Sequence, residues 1–183
     1  RIPEGSVMHY AILNSLRAWS FFETPNTVRG YSNVGGFGID GNISALIGAS
    51  LYNKDRLYFG IIGDLAFFYD MNTLGNRHVG KNVRILLVNN GKGMEFRNYT
   101  HPASRFSDVL VDQYMDGAGH FGQKSISLVR HYAEDLGYEY LTASCKVSFS
   151  KNVERFLIPE ITDKPMFLQN KLMRMRLCIQ YVI

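Results

Sequence analysis

Apolar and polar positions along this chain fall into blocks of two periods. Ile12, Leu16 and Trp19 recur at helical spacing, which predicts a first helix over Met8 to Phe22. Thr27 to Asn33 reads as extended and runs into a glycine-rich stretch, Gly35 to Gly41. Ile43 to Leu51 is small and apolar, the composition of a tightly packed helix. Leu57 to Ile62 is a short apolar run and Val83 to Val88, apolar except for Arg84, the clearest buried strand; they stop at Gly63-Asp64 and at Asn89-Asn90-Gly91. A helix is expected between them, from Leu65 to about Asn76. Lys92 to Gln123 is irregular, a length that points to function or poor order. Lys124 to Leu136 is an amphipathic helix closed by Gly137, Tyr138 to Thr142 a strand, Lys151 to Leu157 a helix and Pro165 to Leu168 a last short strand.

Strands alternating with helices predict an α/β fold: three layers, α/β/α, around a mainly parallel sheet. One domain is expected over 1–169, followed by a tail, 170–183, that lacks a helix-start signal and receives no role. The composition agrees: 183 residues, 46% apolar and 20% charged, suit one domain with a sizeable core. The net charge of +4 is mild and its basic residues are scattered, against a nucleic-acid partner. No apolar run reaches membrane-spanning length. Two cysteines, Cys145 and Cys178, without a C-x-x-C, argue against a zinc site or disulfide framework, and a cytoplasmic location is the expectation. The chain opens on Arg1 rather than Met, which reads as a domain cut from a longer protein.

In an open parallel sheet, ligands bind at the carboxyl ends of the strands. Three expected strand ends carry unusual residues: Gly35 to Gly41, Gly63-Asp64-Leu65 and Asn89 to Gly93. Glycine lets a backbone approach an anion and present its N–H groups. Asp64 and Asn90 are hard oxygen donors of the kind Mg²⁺ takes together with phosphate oxygens. Gly36, Gly38 and Gly41 also fit G-x-G-x-x-G, with Asp64 about twenty residues on, the spacing of a dinucleotide site. Against that alternative, the preceding strand is polar and Asn89-Asn90 is left unexplained. Plain tight turns and a helix cap are the bland alternative. The five histidines form no metal spacing, but His120 and Glu95 lie where they could reach a substrate and are weak catalytic candidates.

Gly63-Asp64, a helix, a strand and then Asn89-Asn90 resemble the signature of thiamine diphosphate enzymes. With Asn14-Ser15 and the stretch Ser32 to Gly41, the chain is most similar to the C-terminal cofactor domain of the menaquinone-pathway succinyl-enolpyruvyl-hydroxycyclohexene-carboxylate synthases, over roughly 1–168. The resemblance implies Mg²⁺ on the side chains of Asp64 and Asn90 and on the carbonyl of Lys92. It implies cofactor contacts from Asn14, Ser15, Phe37, Gly38, Ile39, Gly63, Leu65 and Ala66: Leu65 and Ala66 donating to the diphosphate, Gly38 touching the aminopyrimidine, Ile39 propping the cofactor in its bent form. It further implies a 2-oxo acid substrate and a homo-oligomer. It also implies a pyrimidine-binding domain, in the same longer chain or a partner subunit, that supplies an activating glutamate. No such domain is legible here, so the chain alone is expected not to turn over. A degenerate domain kept for assembly is the remaining alternative. Two positions depart from the synthase pattern: Trp19 and Val34 stand where it has arginines that recognise substrate carboxylates. The substrate is therefore expected to differ.

Overall fold

A computed structural model describes residues 1–120 and 124–171. Six strands form one sheet, all parallel: β1 (Val7–Tyr10), β2 (Arg29–Ser32), β3 (Tyr58–Gly63), β4 (Val83–Val88), β5 (Glu139–Ala143) and β6 (Met166–Asn170), in the spatial order β2-β1-β3-β4-β6-β5. Among the described residues they are accompanied by the helices α1 (Asn14–Trp19), α2 (Asn42–Ser50), α3 (Asp64–Asp70), α4 (Asp108–Tyr114), α5 (Leu128–Asp135) and α6 (Lys146–Phe156). Alternation along the strands sorts the core. Met8, Phe59, Leu86 and Leu168 pack with Trp19 of α1 and with Phe149, Val153 and Phe156 of α6. Val7, Tyr58, Ile85 and Phe167 pack with Ile43 and Leu46 of α2, Phe67 of α3 and Val129 and Ala133 of α5. This is the expected three-layer α/β/α fold.

Five expectations change in detail. The segment expected to open a helix at Met8 begins with strand β1, and helix α1 starts only at Asn14. All four β1 residues are buried, so the strand shows no polar alternation and its apolar positions run on into the helical stripe of α1. The helix expected from Leu65 to Asn76 is α3 followed by a 3-10 segment, Met71–Gly75. The irregular stretch contains 3-10 turns at Met94–Arg97 and Pro102–Arg105, and then α4. The last helix starts at Lys146, ahead of Lys151, because Cys145 and Ser148 close a capping box at its head. β6 takes in Asn170, and Lys171 N donates to Ala143 O, so the sheet runs slightly past the expected domain end. Residues 172–183 of the expected tail lie outside the described residues.

Close packing fixes where the strand ends sit. A Cβ on Gly60 would lie 2.6 Å from Leu46 Cδ2, so α2 rests directly on β3. Arg84 in β4 is wholly buried and ties the sheet to the end of α6. Its Nη1 donates to Phe156 O (2.7 Å) and Ile158 O (2.5 Å), and its Nη2 to Glu160 O (2.6 Å). Since every strand is parallel, the carboxyl ends of β1, β2, β3 and β4 share one edge. Chain order reverses beside β1, where such folds open a ligand crevice.

Candidate functional site at the carboxyl edge

β3 ends at Gly63 and β4 at Val88, paired in register, so Asp64 and Asn89 leave the sheet side by side. Asp64 is only 2% exposed. Its Oδ1 accepts from Leu65 N at 2.8 Å, and its Oδ2 accepts from Gly91 N. Gly91 has φ +82°, the left-handed conformation that turns its N–H back onto β3. His120 Nε2 lies 3.1 Å from the same Oδ2, with its ring against Phe68. No Lys or Arg comes within ion-pair distance of Asp64 among the described residues. A buried carboxylate answered by two N–H groups and an imidazole, with no Lys or Arg beside it among the described residues, has the chemistry of a metal-binding carboxylate. Asn90 lies in the turn folded over Asp64, with its Oδ1 accepting from Lys92 N at 3.3 Å.

Among the described residues, no three His, Cys, Asp or Glu side chains gather into a metal cluster. A cation at Asp64 therefore needs amide and backbone oxygens and a bound anion to complete its shell. Those are the donors that Asn90, the carbonyl of Lys92 and a diphosphate offer, and they suit Mg²⁺. The donor set fits the expected group.

The loop after Gly91 is braced from below. Gly93 N donates to Asp116 O at 2.6 Å, and a Cβ on Gly93 would meet Leu65 Cδ2 at 3.1 Å. Lys92 Nζ turns away to Asp112 Oδ1 at 2.8 Å. Arg97 is gripped by Asp108 Oδ1 (2.7 Å), by Asp112 and by the buried Asp116 Oδ2 (3.1 Å). This brace escaped the sequence reading, although Asp108, Asp112 and Asp116 at intervals of four are a legible row of carboxylates on one helical face.

Past β1 the chain makes a strained turn, with Leu13 at φ 65°, before Asn14 and Ser15 open α1. Ser15 is buried. Asn14 Oδ1 accepts from Arg17 Nη1 (3.0 Å) and Asn98 Nδ2 (3.2 Å). Glu95 accepts from Arg17 twice, at 2.7 and 3.2 Å, and from Asn98 at 3.1 Å. The bonds from Glu95 push the Arg17 guanidinium above its ordinary value. The two catalytic candidates thus part company: His120 stands on Asp64, Glu95 beside Asn14. The glycine-rich segment after β2 lies further out. Phe37 is exposed, Ile39 packs against the α2–α3 side of the core, and Ile39 O accepts from Asn42 Nδ2 at 2.6 Å. β1 stands between β2 and β3, so this segment and Asp64 end non-adjacent strands, unlike the neighbouring strands of a dinucleotide site.

No family model matches the chain. It is 32% identical over 170 residues to the 2-succinyl-5-enolpyruvyl-6-hydroxy-3-cyclohexene-1-carboxylate synthase of Bacteroides fragilis, and 33% identical over 173 residues to that of Bacteroides thetaiotaomicron. Each match takes in 92% of this chain and 28% of the synthase, so the chain spans under a third of these relatives. In fold it resembles a thiamine diphosphate-dependent 4-hydroxybenzoylformate decarboxylase of Rhodococcus jostii RHA1, with a TM-score of 0.65 and 22% identity over 94% of this chain and 31% of that one. The chain is thus related to one part of these synthases over nearly its whole length, and it shares the fold of the decarboxylase. Against the synthase pattern its two departures now have structural settings. Trp19 is buried, with its ring 4.9 Å from that of Tyr10 and its Nε1 donating to Thr24 Oγ1 at 2.8 Å. It is a core residue, and an arginine in this pose would bury its charge. Val34 is exposed beyond β2.

Proposed function

We propose that this domain binds thiamine diphosphate through Mg²⁺ and is the cofactor half of an enzyme acting on a 2-oxo acid, as a decarboxylase or carboligase. Asp64 and Asn90 hold the metal with their side chains and Lys92 with its carbonyl. The first-turn N–H group of Ala66 donates to the diphosphate, joined by that of Leu65 on leaving Asp64 Oδ1, with Gly63 at the turn beneath and Asn14 and Ser15 alongside. Phe37 and Gly38 meet the aminopyrimidine with their backbone, and Ile39 supports the bend. When bound, the cofactor supplies a nucleophilic carbon and an electron sink for cleaving the bond beside a 2-oxo acid's carbonyl. The chain's own residues position it, exclude water beneath it and keep its anionic end neutralised.

The observation that carries this reading is the buried carboxylate of Asp64 under the Asn89–Gly91 turn, with no Lys or Arg beside it among the described residues. A pyrimidine-binding domain, from the same longer chain or a partner subunit, completes the site in a cytoplasmic homo-oligomer. The test is a thermal melt of the 183-residue chain with Mg²⁺ and thiamine diphosphate, with each alone, and with NAD. Stabilisation that needs both components and grows with concentration is expected. A rise with NAD instead, or none with the pair, overturns it. Robust decarboxylation by this chain alone would refute the need for a second domain.

A further inference from the structure

We propose that Arg17 is the carboxylate-recognising residue of this site, and that Glu95 occupies its guanidinium until an acidic substrate displaces it. This rests on the reading above and adds which side chain takes the acid group. Arg17, Glu95, Asn14 and Asn98 form a closed ring of hydrogen bonds. Two members follow β1 and two follow β4. The ring therefore spans the end of β3, from which Asp64 emerges. It lies over the crevice side of the sheet, where a substrate reacting beside a metal-held cofactor has to sit.

Two other cations near this edge are committed. Arg97 is held by three aspartates and its side chain is 16% exposed; Lys92 is held by Asp112. Arg17 has a single carboxylate partner and is 48% exposed, so solvent and small solutes reach it. Neither Trp19 nor Val34 supplies a charge. Glu95 also shows how a carboxylate fits. Nη1 meets Oε2 and Nη2 meets Oε1, the two-pronged arrangement in which guanidinium binds carboxylates. If the two acids exchange, Asn14 Oδ1 still holds Nη1 in place, and Glu95 keeps the bond from Asn98 while its freed oxygens hydrate. The exchange gives Arg17 a new ion-pair partner and leaves Glu95, with its side chain 21% exposed, on the bond from Asn98 and on water.

An occupant and a receptor respond oppositely to mutation. The experiment is calorimetric titration of the chain, and of Arg17→Gln, Arg17→Lys and Glu95→Gln, with pyruvate and 2-oxoglutarate, and with acetate and inorganic phosphate as other anions. Glu95→Gln should bind the 2-oxo acids about tenfold more tightly than the parent, and Arg17→Gln at least about tenfold more weakly, the size of one charge-assisted hydrogen-bonded contact at a half-exposed site. Arg17→Lys, which keeps charge without the fork, should fall between. Melts of each variant establish that it folds. The proposal is overturned if both single variants shift affinity the same way, as a purely structural tie between loop and α1 would make them. It is equally overturned if Glu95→Gln binds no 2-oxo acid, or if phosphate binds as well as pyruvate. The titration needs no cofactor. A failed cofactor melt with these signs intact sinks the cofactor reading alone, and the reverse result sinks this proposal alone.

Discussion

The two ends of the β3–β4 pair handle a buried charge in opposite ways. Near the amino end, Arg84 lies in the core with its guanidinium answered by three backbone carbonyls at 2.5–2.7 Å and its face over the Phe59 ring. Burial pushes it down to about 10, and the neighbouring Arg155 adds to the effect, yet it stays protonated at neutral pH. At the carboxyl end, Asp64 is as deeply buried, but it meets only two backbone N–H groups and an imidazole. The fold gives the first charge three carbonyls and leaves its buried Nε without a hydrogen-bond partner. The second is oriented with no Lys or Arg beside it among the described residues. The first serves stability, joining β4 to the end of α6; under the proposed function the second serves the binding of a cation.

This contrast is sharpest under mutation. Arg84→Met should destabilise the domain by about 3 kcal/mol or more, because it strands the carbonyls of Phe156, Ile158 and Glu160 in the interior. Urea unfolding would measure it, and a loss under about 1 kcal/mol would mean that those carbonyls find other partners. Asp64→Asn should do the reverse. Without ligand, stability should move by no more than about 1 kcal/mol, since the amide still accepts one N–H bond while the buried charge disappears. The gain on adding Mg²⁺ and thiamine diphosphate, about 2.7 kcal/mol at a hundredfold excess over Kd, should vanish. If Asp64→Asn unfolded the domain as severely as Arg84→Met, the two ends would be alike and Asp64 a structural residue.

The same contrast explains what could be read from the sequence. The apolar runs at 57–62 and 83–88 announce buried strands, and the residues where they stop are where the site lies, because chain termination of a parallel strand and ligand access coincide. Asp64 was legible for that reason. β1 was not, since a four-residue strand buried on both faces carries no alternation and fused with the helix behind it. The Arg17–Glu95 pairing was invisible for another reason. It joins residues 78 positions apart through a loop of 3-10 turns with no periodic signal of its own. His120 could be named as a candidate, but its seat on Asp64 depends on the Gly93–Asp116 brace that threads the irregular segment back under the β4 loop.

A third charged pair lies between the two extremes. Glu139 on β5 accepts from Arg155 on α6 at 2.8 and 2.7 Å, partly open to water. That contact holds the Glu139 carboxyl below its ordinary value, so its stabilisation is present above the unfolded carboxyl range and is lost as pH falls through the lower folded value. Glu139 also offsets the push of Arg155 on Arg84. Glu139→Gln should therefore cost less than about 1 kcal/mol at neutral pH, as water screens most of the pair. The difference from the parent should close as pH falls through the lowered folded value, where the parent's own carboxylate takes up its proton. Unfolding midpoints of both proteins across that range would check it. A gap that persisted in acid would place the effect of Glu139 in its packing against the sheet rather than in its charge. The treatment of Arg84 would then rest on the three carbonyls alone.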